Sequence, residues 1–328
     1  MARRTSIGEL GEFGLLTRLL PTLPIGRDVL LGPGDDCAVV RTAAGRILLT
    51  VDALVEGVHF RRGWLSAHQL GRKAFLVNAS DVAAMGGRPR WAVLHIGAPP
   101  HTPAADLAAI SHGAAQAAAA ADASLVGGNL SRSRVLAVVV ALVGSAPARL
   151  VSRAGARPGD LLFVTGGLGA AALGRRELRR NPAARGAAVR RFREPPLRVE
   201  AGALLASSGL ATAMIDVSDG LLRDLGHLCA ASGVGARVAG ARVPAPAAVR
   251  RAGMSLALTG GEDYELLCAV PARHRRRIER LARRFGCAFT CIGECLPRRA
   301  GVRVVDAKGR AVPMSDTGHD HFRRGRRG

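Results

Sequence analysis

Aromatic residues make up only 3% of the 328-residue chain, and lysine is scarcer still, with Lys73 and Lys308 alone. A surface that stacks nucleic-acid bases interleaves rings with its cations. That interleaving is absent here, although Lys+Arg number 47 against 25 Asp+Glu, a net charge of +22. The positive charge is arginine in short runs such as Arg175-Arg176, Arg190-Arg191, Arg275-Arg276-Arg277 and Arg323-Arg324. Several runs fall on faces that read as exposed helix, and Arg323–Gly328 reads as a basic tail. The expectation is no nucleic-acid partner. An arginine-driven nucleic-acid-binding protein is the rival reading from another class, and a small anionic substrate would tolerate the same charge.

Long apolar runs are also missing. Nothing approaches the roughly 20 residues of a membrane helix, and Val135–Val143 reads as a buried strand. Met1–Leu10 has two arginines with no apolar segment behind them, so no signal peptide is expected. The location this implies is cytoplasmic, with no membrane partner. No C-x-x-C pair occurs among Cys37, Cys229, Cys268, Cys287, Cys291 and Cys295. The last three are spaced by four, but 288–293 reads as a strand and turn that would scatter them, so free thiols are expected. The Walker pattern, the Rossmann fingerprint and the protein-kinase signatures are all lacking. A nucleotide-binding role would therefore need another architecture.

Apolar residues make up 48% of the chain, ample for packed cores of Ala, Leu and Val. At roughly 100–200 residues per domain the length suggests two. The stretch 145–159, with Pro147 and Pro158, has no period and marks the boundary. The domains are read as 1–147 and 148–328. In the first, helices are expected over Glu9–Leu20, from a Ser66 cap to about Ala84, and over Ala104–Ala121. Strands are expected at Cys37–Arg41, Ile47–Val51, Ala92–Ile96 and Val135–Val143. In the second, Leu161–Val164 and Tyr264–Val270 read as extended. Gly169–Arg180, Pro196–Ser207, Gly220–Ser232, Ala245–Ala252 and His274–Phe285 read as helices. The fold class is α+β (mixed α/β), with strands and helices in both halves.

With so few acids, their placement is informative. Many sit beside apolar runs, three of the five segments next to glycine: Gly34-Asp35-Asp36, Val51-Asp52, Ser80-Asp81, Ile215-Asp216-Val217-Ser218-Asp219-Gly220 and Gly261-Glu262-Asp263. Taken singly, Gly34-Asp35-Asp36 reads as a turn and Ser218-Asp219-Gly220 as a helix N-cap. Taken together, short carboxylates at strand ends suit Mg²⁺, which takes hard oxygen ligands shared with phosphate and water.

These segments resemble the thiamine-monophosphate kinases. The resemblance rests on Gly34–Ala38, Val51–Phe60, Lys73-Ala74, Val77–Gly86, Gly127-Gly128-Asn129, Ser152–Asp160, Asp216–Leu221 and Gly260–Leu266, in the family's order. The ending Gly318-His319-Asp320-His321-Phe322 looks like the family's terminal G-aromatic-x-H-F. The resemblance implies a two-domain fold like aminoimidazole ribonucleotide synthetase, with the N-terminal domain pairing through a β-barrel into a homodimer. It also implies ATP and several Mg²⁺ ions as cofactors, thiamine monophosphate as substrate, and direct γ-phosphoryl transfer without a covalent nucleophile. By the same resemblance Asp36, Thr50, Asp52, Asp81, Asn129, Asp216 and Asp219 hold metal, with Asp35 behind them. Gly128, Asn129, Arg153 and Ser218 contact ATP, and His59, Glu262 and His319 contact the substrate, supported by Asp263 and Tyr264. The chain departs from the pattern at Asn129, where many relatives have Asp, at Val51, often Thr, and at His319, usually aromatic. Another ATP-using enzyme of the superfamily is the alternative. A hydrogenase-maturation dehydratase typically ends in cysteine, whereas this chain ends in Arg327-Gly328.

Overall fold

The computed structural model of the chain describes residues 6–284 and 287–313. His319 and the basic ending therefore lie outside the described residues.

Helix α1 (Ile7–Leu19) is entered through a reciprocal cap, the Glu9 carboxylate accepting the Ser6 amide at 2.7 Å. Strands β1 (Val29–Leu31), β2 (Ala38–Thr42) and β3 (Gly45–Val55) follow as an antiparallel meander. Helix α2 (Ala67–Ala84) starts at Ser66, whose side chain accepts the Gln69 amide while Gln69 returns the bond. This is the capping box that the spacing Ser-x-x-Gln encodes. Then come β4 (Arg88–Ala98), α3 (Ala104–Ala120), β5 (Ser124–Arg132) and β6 (Ala137–Ser145). The sheet order is β1-β2-β3-β6-β4-β5, with β4 and β5 parallel across the α3 connection.

Both helices cover one face of this sheet. They cross closely because a Cβ on Gly71 would lie 1.8 Å from the Ile110 carbonyl oxygen, and one on Gly113 would lie 2.0 Å from that of His68. The inward residues Val138, Val140 and Leu142 of β6 are buried, with Leu94 and Ile96 beside them. The opposite face is apolar yet open: Val51, Trp91, Val93 and Val126 are all exposed.

The second half contains β7 (Asp160–Thr165), α4 (Ala170–Arg180), α5 (Ala187–Arg193), α6 (Val199–Ser207), β8 (Ala213–Val217) and α7 (Leu221–Ser232). It continues with β9 (Val234–Ala239), α8 (Ala247–Ala252), α9 (Ser255–Thr259), β10 (Glu265–Pro271), α10 (Arg275–Arg284), β11 (Phe289–Pro297), β12 (Val302–Val305) and β13 (Ala311–Val312). The sheet order is β13-β12-β9-β11-β7-β10-β8. The mixed α/β architecture is as read from the pattern. The turn expected near Gly293 is instead a register shift inside β11, where a Cβ would meet the Arg237 carbonyl at 2.0 Å. Short elements such as α5 escaped the periodicity because only Val189 and Phe192 anchor it. All six cysteines are unpaired. No helix among the described residues is long and apolar enough to cross a membrane.

Helix α2 also touches the second half. A Cβ on Gly202 of α6 would lie 2.0 Å from the Ala83 carbonyl. The Ser80 hydroxyl of α2 donates to Asp216 Oδ2 of β8 at 2.7 Å.

Candidate active site

A cavity of about 480 Å³ opens where the two halves meet, and carboxylates line it from both sides. Asp35 and Asp36 precede β2, Asp52 lies on β3, and Asp81 lies on α2. Asp216 lies on β8, and Asp219 lies between β8 and α7. Oxygen atoms of Asp36, Asp81 and Asp216 fall within 4.8 Å of one another. Three negative charges that close repel strongly in a low-dielectric setting. Burial first, and the neighbouring carboxylates with it, pushes Asp81 well above its ordinary range. Burial pushes Asp36 up to about 7, opposed by Arg153 and reinforced by Asp216. Asp52 opens to the water of the cleft but is walled by protein. That desolvation, with Asp219 adding to it, carries it to about 6.

The side chains around the cluster are directional. The Thr50 hydroxyl donates to Asp81 Oδ2 at 2.6 Å, leaving its own lone pairs free. Arg153 Nη2 donates to Asp36 Oδ1 at 2.7 Å, and the Arg153 amide donates to Asp35 Oδ2 at 3.0 Å. Asp36 Oδ2 and Arg153 Nε are buried with no hydrogen-bond partner among the described residues. Ser218 donates to Asp216 Oδ1 at 3.3 Å. The amides of Asp219 and Gly220 both donate to Asp224 Oδ2, at 3.2 and 3.0 Å, which fixes the loop entering α7.

The same cavity is also lined by His59, Arg175, Glu262 and Tyr264. His59 Nδ1 accepts the Val55 amide at 3.1 Å, so a neutral ring carries its proton on Nε2. Glu262 Oε2 accepts from Lys73 Nζ at 2.5 Å, and Oε1 accepts from Arg175 Nη1 at 3.2 Å. Burial would raise the Glu262 carboxyl, but Lys73 and Arg175 outweigh it and hold the group below its ordinary range. Glu262 and Tyr264 have φ of 72° and 49°, a region side chains rarely adopt, so this short segment is held under strain. Asp263 is turned away from the cavity. It accepts the Gly169 amide at 2.6 Å and caps α4.

The structure thus gathers Asp36, Thr50, Asp52, Asp81, Arg153, Asp216, Ser218 and Asp219 around one cavity that His59 and Glu262 also line. It does not bring Gly128 and Asn129 there. Both lie on β5, where Asn129 is exposed and its side chain sits 3.4 Å from His95 Nδ1. Gly128 admits no side chain, since a Cβ would sit 1.9 Å from the Leu94 carbonyl oxygen. Lys73 and Arg175, the partners of Glu262, were missed; a lone lysine inside the apolar face of α2 was the available signal.

With its two α/β halves, the chain belongs to the AIR synthase related proteins. Residues 34–146 match that family's N-terminal domain and 157–306 its C-terminal domain. Within that class the chain belongs to the thiamine-monophosphate kinase family. It is 40% identical to the thiamine-monophosphate kinase of Mycobacterium tuberculosis over 82% of this chain and 85% of that protein. With the enzyme of that name from Escherichia coli K12 it shares 35% identity over 95% of this chain and 98% of the relative. The solved structure of AaThiL complexed with AMPPCP and TMP superposes with a TM-score of 0.83, at 32% identity, covering 97% of this chain and all of the other. The E. coli hydrogenase maturation protein HypE shares the fold at a TM-score of 0.71, but only 22% identity over 88% of this chain and 92% of that one.

Proposed function

We propose that this chain transfers the γ-phosphoryl group of ATP to thiamine monophosphate, forming thiamine diphosphate. The observation that carries the reading is the trio Asp36, Asp81 and Asp216, one of whose buried oxygens has no hydrogen-bond partner, in the same cavity as His59 and Glu262. The donors are hard oxygens, clustered and mutually repelling, which fits Mg²⁺. Asp36, Asp81, Asp216, Asp52 and Asp219 would hold it, with Thr50 beside them. Bound there, Mg²⁺ supplies charge neutralisation between two phosphate-bearing molecules that otherwise repel.

The chain's own residues do the rest by positioning. Arg153, ion-paired with Asp35 and Asp36, brings positive charge to the cavity for a phosphate, and Ser218 borders the same space. The acceptor is a phosphate oxygen, already ionised at neutral pH, so no strong general base and no covalent nucleophile are required. His59 and the ionised Glu262 line the same cavity, where Glu262 suits a cationic thiazolium. Gly128 and Asn129 are assigned to ATP and metal from a neighbouring copy or after rearrangement. A homodimer is supported by the open apolar face carrying Val51, Trp91, Val93 and Val126. We divide the chain into domains at 147/148, and the unpaired thiols agree with a reducing cytoplasm.

The test is incubation with thiamine monophosphate, ATP and Mg²⁺, followed by chromatography. Thiamine diphosphate should appear with wild type, and its rate should fall by about 10²-fold or more in Asp219→Asn, the scale of a lost electrostatic contact. Absence of product from wild type, or full activity in the variant, would overturn the reading.

A further inference from the structure

Lys73 is one of two lysines in the chain and is buried, 2% exposed. It does not line the cavity. Its ammonium has three partners, all from the second half of the chain: Glu262 Oε2 at 2.5 Å, the Phe192 carbonyl at 2.8 Å, and the Phe192 ring with its centroid at 3.8 Å. Phe192 is in turn backed edge-on by Trp64, with centroids 6.0 Å apart. A protein with few aromatic rings has placed two of them behind this one cation.

Helix α2 explains the arrangement. Lys73, Val77 and Asp81 recur at intervals of four and lie on one face. Val77 and Asp81 border the cavity. Eight residues of α-helix span about 12 Å. The same rigid element therefore fixes Asp81 among the carboxylates and, two turns earlier, anchors Glu262 from behind.

We propose that Lys73 is a positioning residue for thiamine-monophosphate recognition: it holds the Glu262 carboxylate at a set distance from the carboxylate cluster. This rests on the function proposed above. A carboxylate on a backbone with φ of 72° needs such a restraint, because the strained conformation persists only when partners over-determine it. Lys73 supplies one restraint, and the Glu262 amide donating to the Ser218 carbonyl at 2.7 Å supplies another. Arg175 reaches the other carboxylate oxygen, on the cavity side.

The alternative is a buried ion pair that only joins the two halves. A double-mutant cycle separates the two. Lys73→Met should raise KM for thiamine monophosphate on the order of tenfold, while KM for ATP stays within about twofold, as for loss of a contact to one substrate. Glu262→Gln should do the same. The double variant should be no worse than Glu262→Gln alone, since Lys73 acts through that carboxylate. Equal, independent factors in the cycle, or KM for both substrates rising together, would refute the assignment. Should Lys73→Met fail to fold, Lys73→Arg provides the same cycle, because it keeps the charge but not the compact fit over Phe192. If wild type binds thiamine monophosphate in calorimetry but forms no product, the kinase reading alone falls, and the cycle is read from binding. If wild type does not bind it, both fall.

Discussion

Asp216→Asn should stabilise the metal-free protein while abolishing its response to Mg²⁺. Asp216 is 2% exposed and its carboxyl is pushed up from 3.8 to about 6. Burial is the main cause, Ser80 and Arg153 oppose it, and Asp52 adds to it. A displacement of that size corresponds to roughly 3 kcal/mol against the charged form. Asparagine keeps an oxygen for Ser80 but loses the attraction of Arg153. About 2 kcal/mol should therefore be recovered, allowing for that lost charged partner. For a chain of 328 residues that is a rise of about 3 °C in Tm. The sign with pH follows from linkage. The folded pKa lies above the unfolded one, so the penalty is absent below about pH 4 and grows as pH rises through about 6. Scanning calorimetry in chelator at pH 8 and again at pH 4 should show the gap between variant and wild type at the first and not at the second. Adding Mg²⁺ at pH 8 should raise the Tm of wild type by ligand linkage and leave the variant nearly unmoved. A variant less stable than wild type in chelator at pH 8, or one that Mg²⁺ stabilises equally, would show that the carboxylates are not a repelling cluster built for a cation.

Glu265 accepts from Thr165 at 2.6 Å and from Arg198 at 2.6 and 2.8 Å, with Arg191 also paired to it, and is fully buried. Glu265→Ala should lower stability in denaturant titration by about 3–5 kcal/mol, because it leaves two arginines unpaired beside a core strand. Val93→Arg places a charge at the middle of the open apolar sheet face and should give monomers by light scattering, with the far-ultraviolet spectrum unchanged.

The carboxylate cleft was legible from scarce aspartates beside apolar runs, although Asp81 lies on helix α2 and Asp52 inside β3, not at strand ends. Helix α2 was legible from the Ser66 cap and ends at Ala84 as expected. What could not be read was pairing across great separations. Lys73 meets Glu262 across 189 positions and Phe192 across 119, and nothing local in either segment names the other. Asp263 illustrates the converse. It reads as part of an acidic site motif, yet its backbone turns it inward to cap α4, where burial raises it to about 7. A motif specifies residue types, while φ at neighbouring positions decides which side chain faces the cavity. Gly128 and Asn129 show a further limit: their motif suggested the site, yet both lie on β5 outside the cavity.

The Ser80–Asp216 bond spans the seam between the halves, and the carboxylates on either side of that seam belong to both. Any cation seated among them is thereby a rivet as well as a reagent. Withdrawn, it leaves like charges facing each other across the joint. A cation held by Asp36, Asp81 and Asp216 would offset that repulsion across the seam.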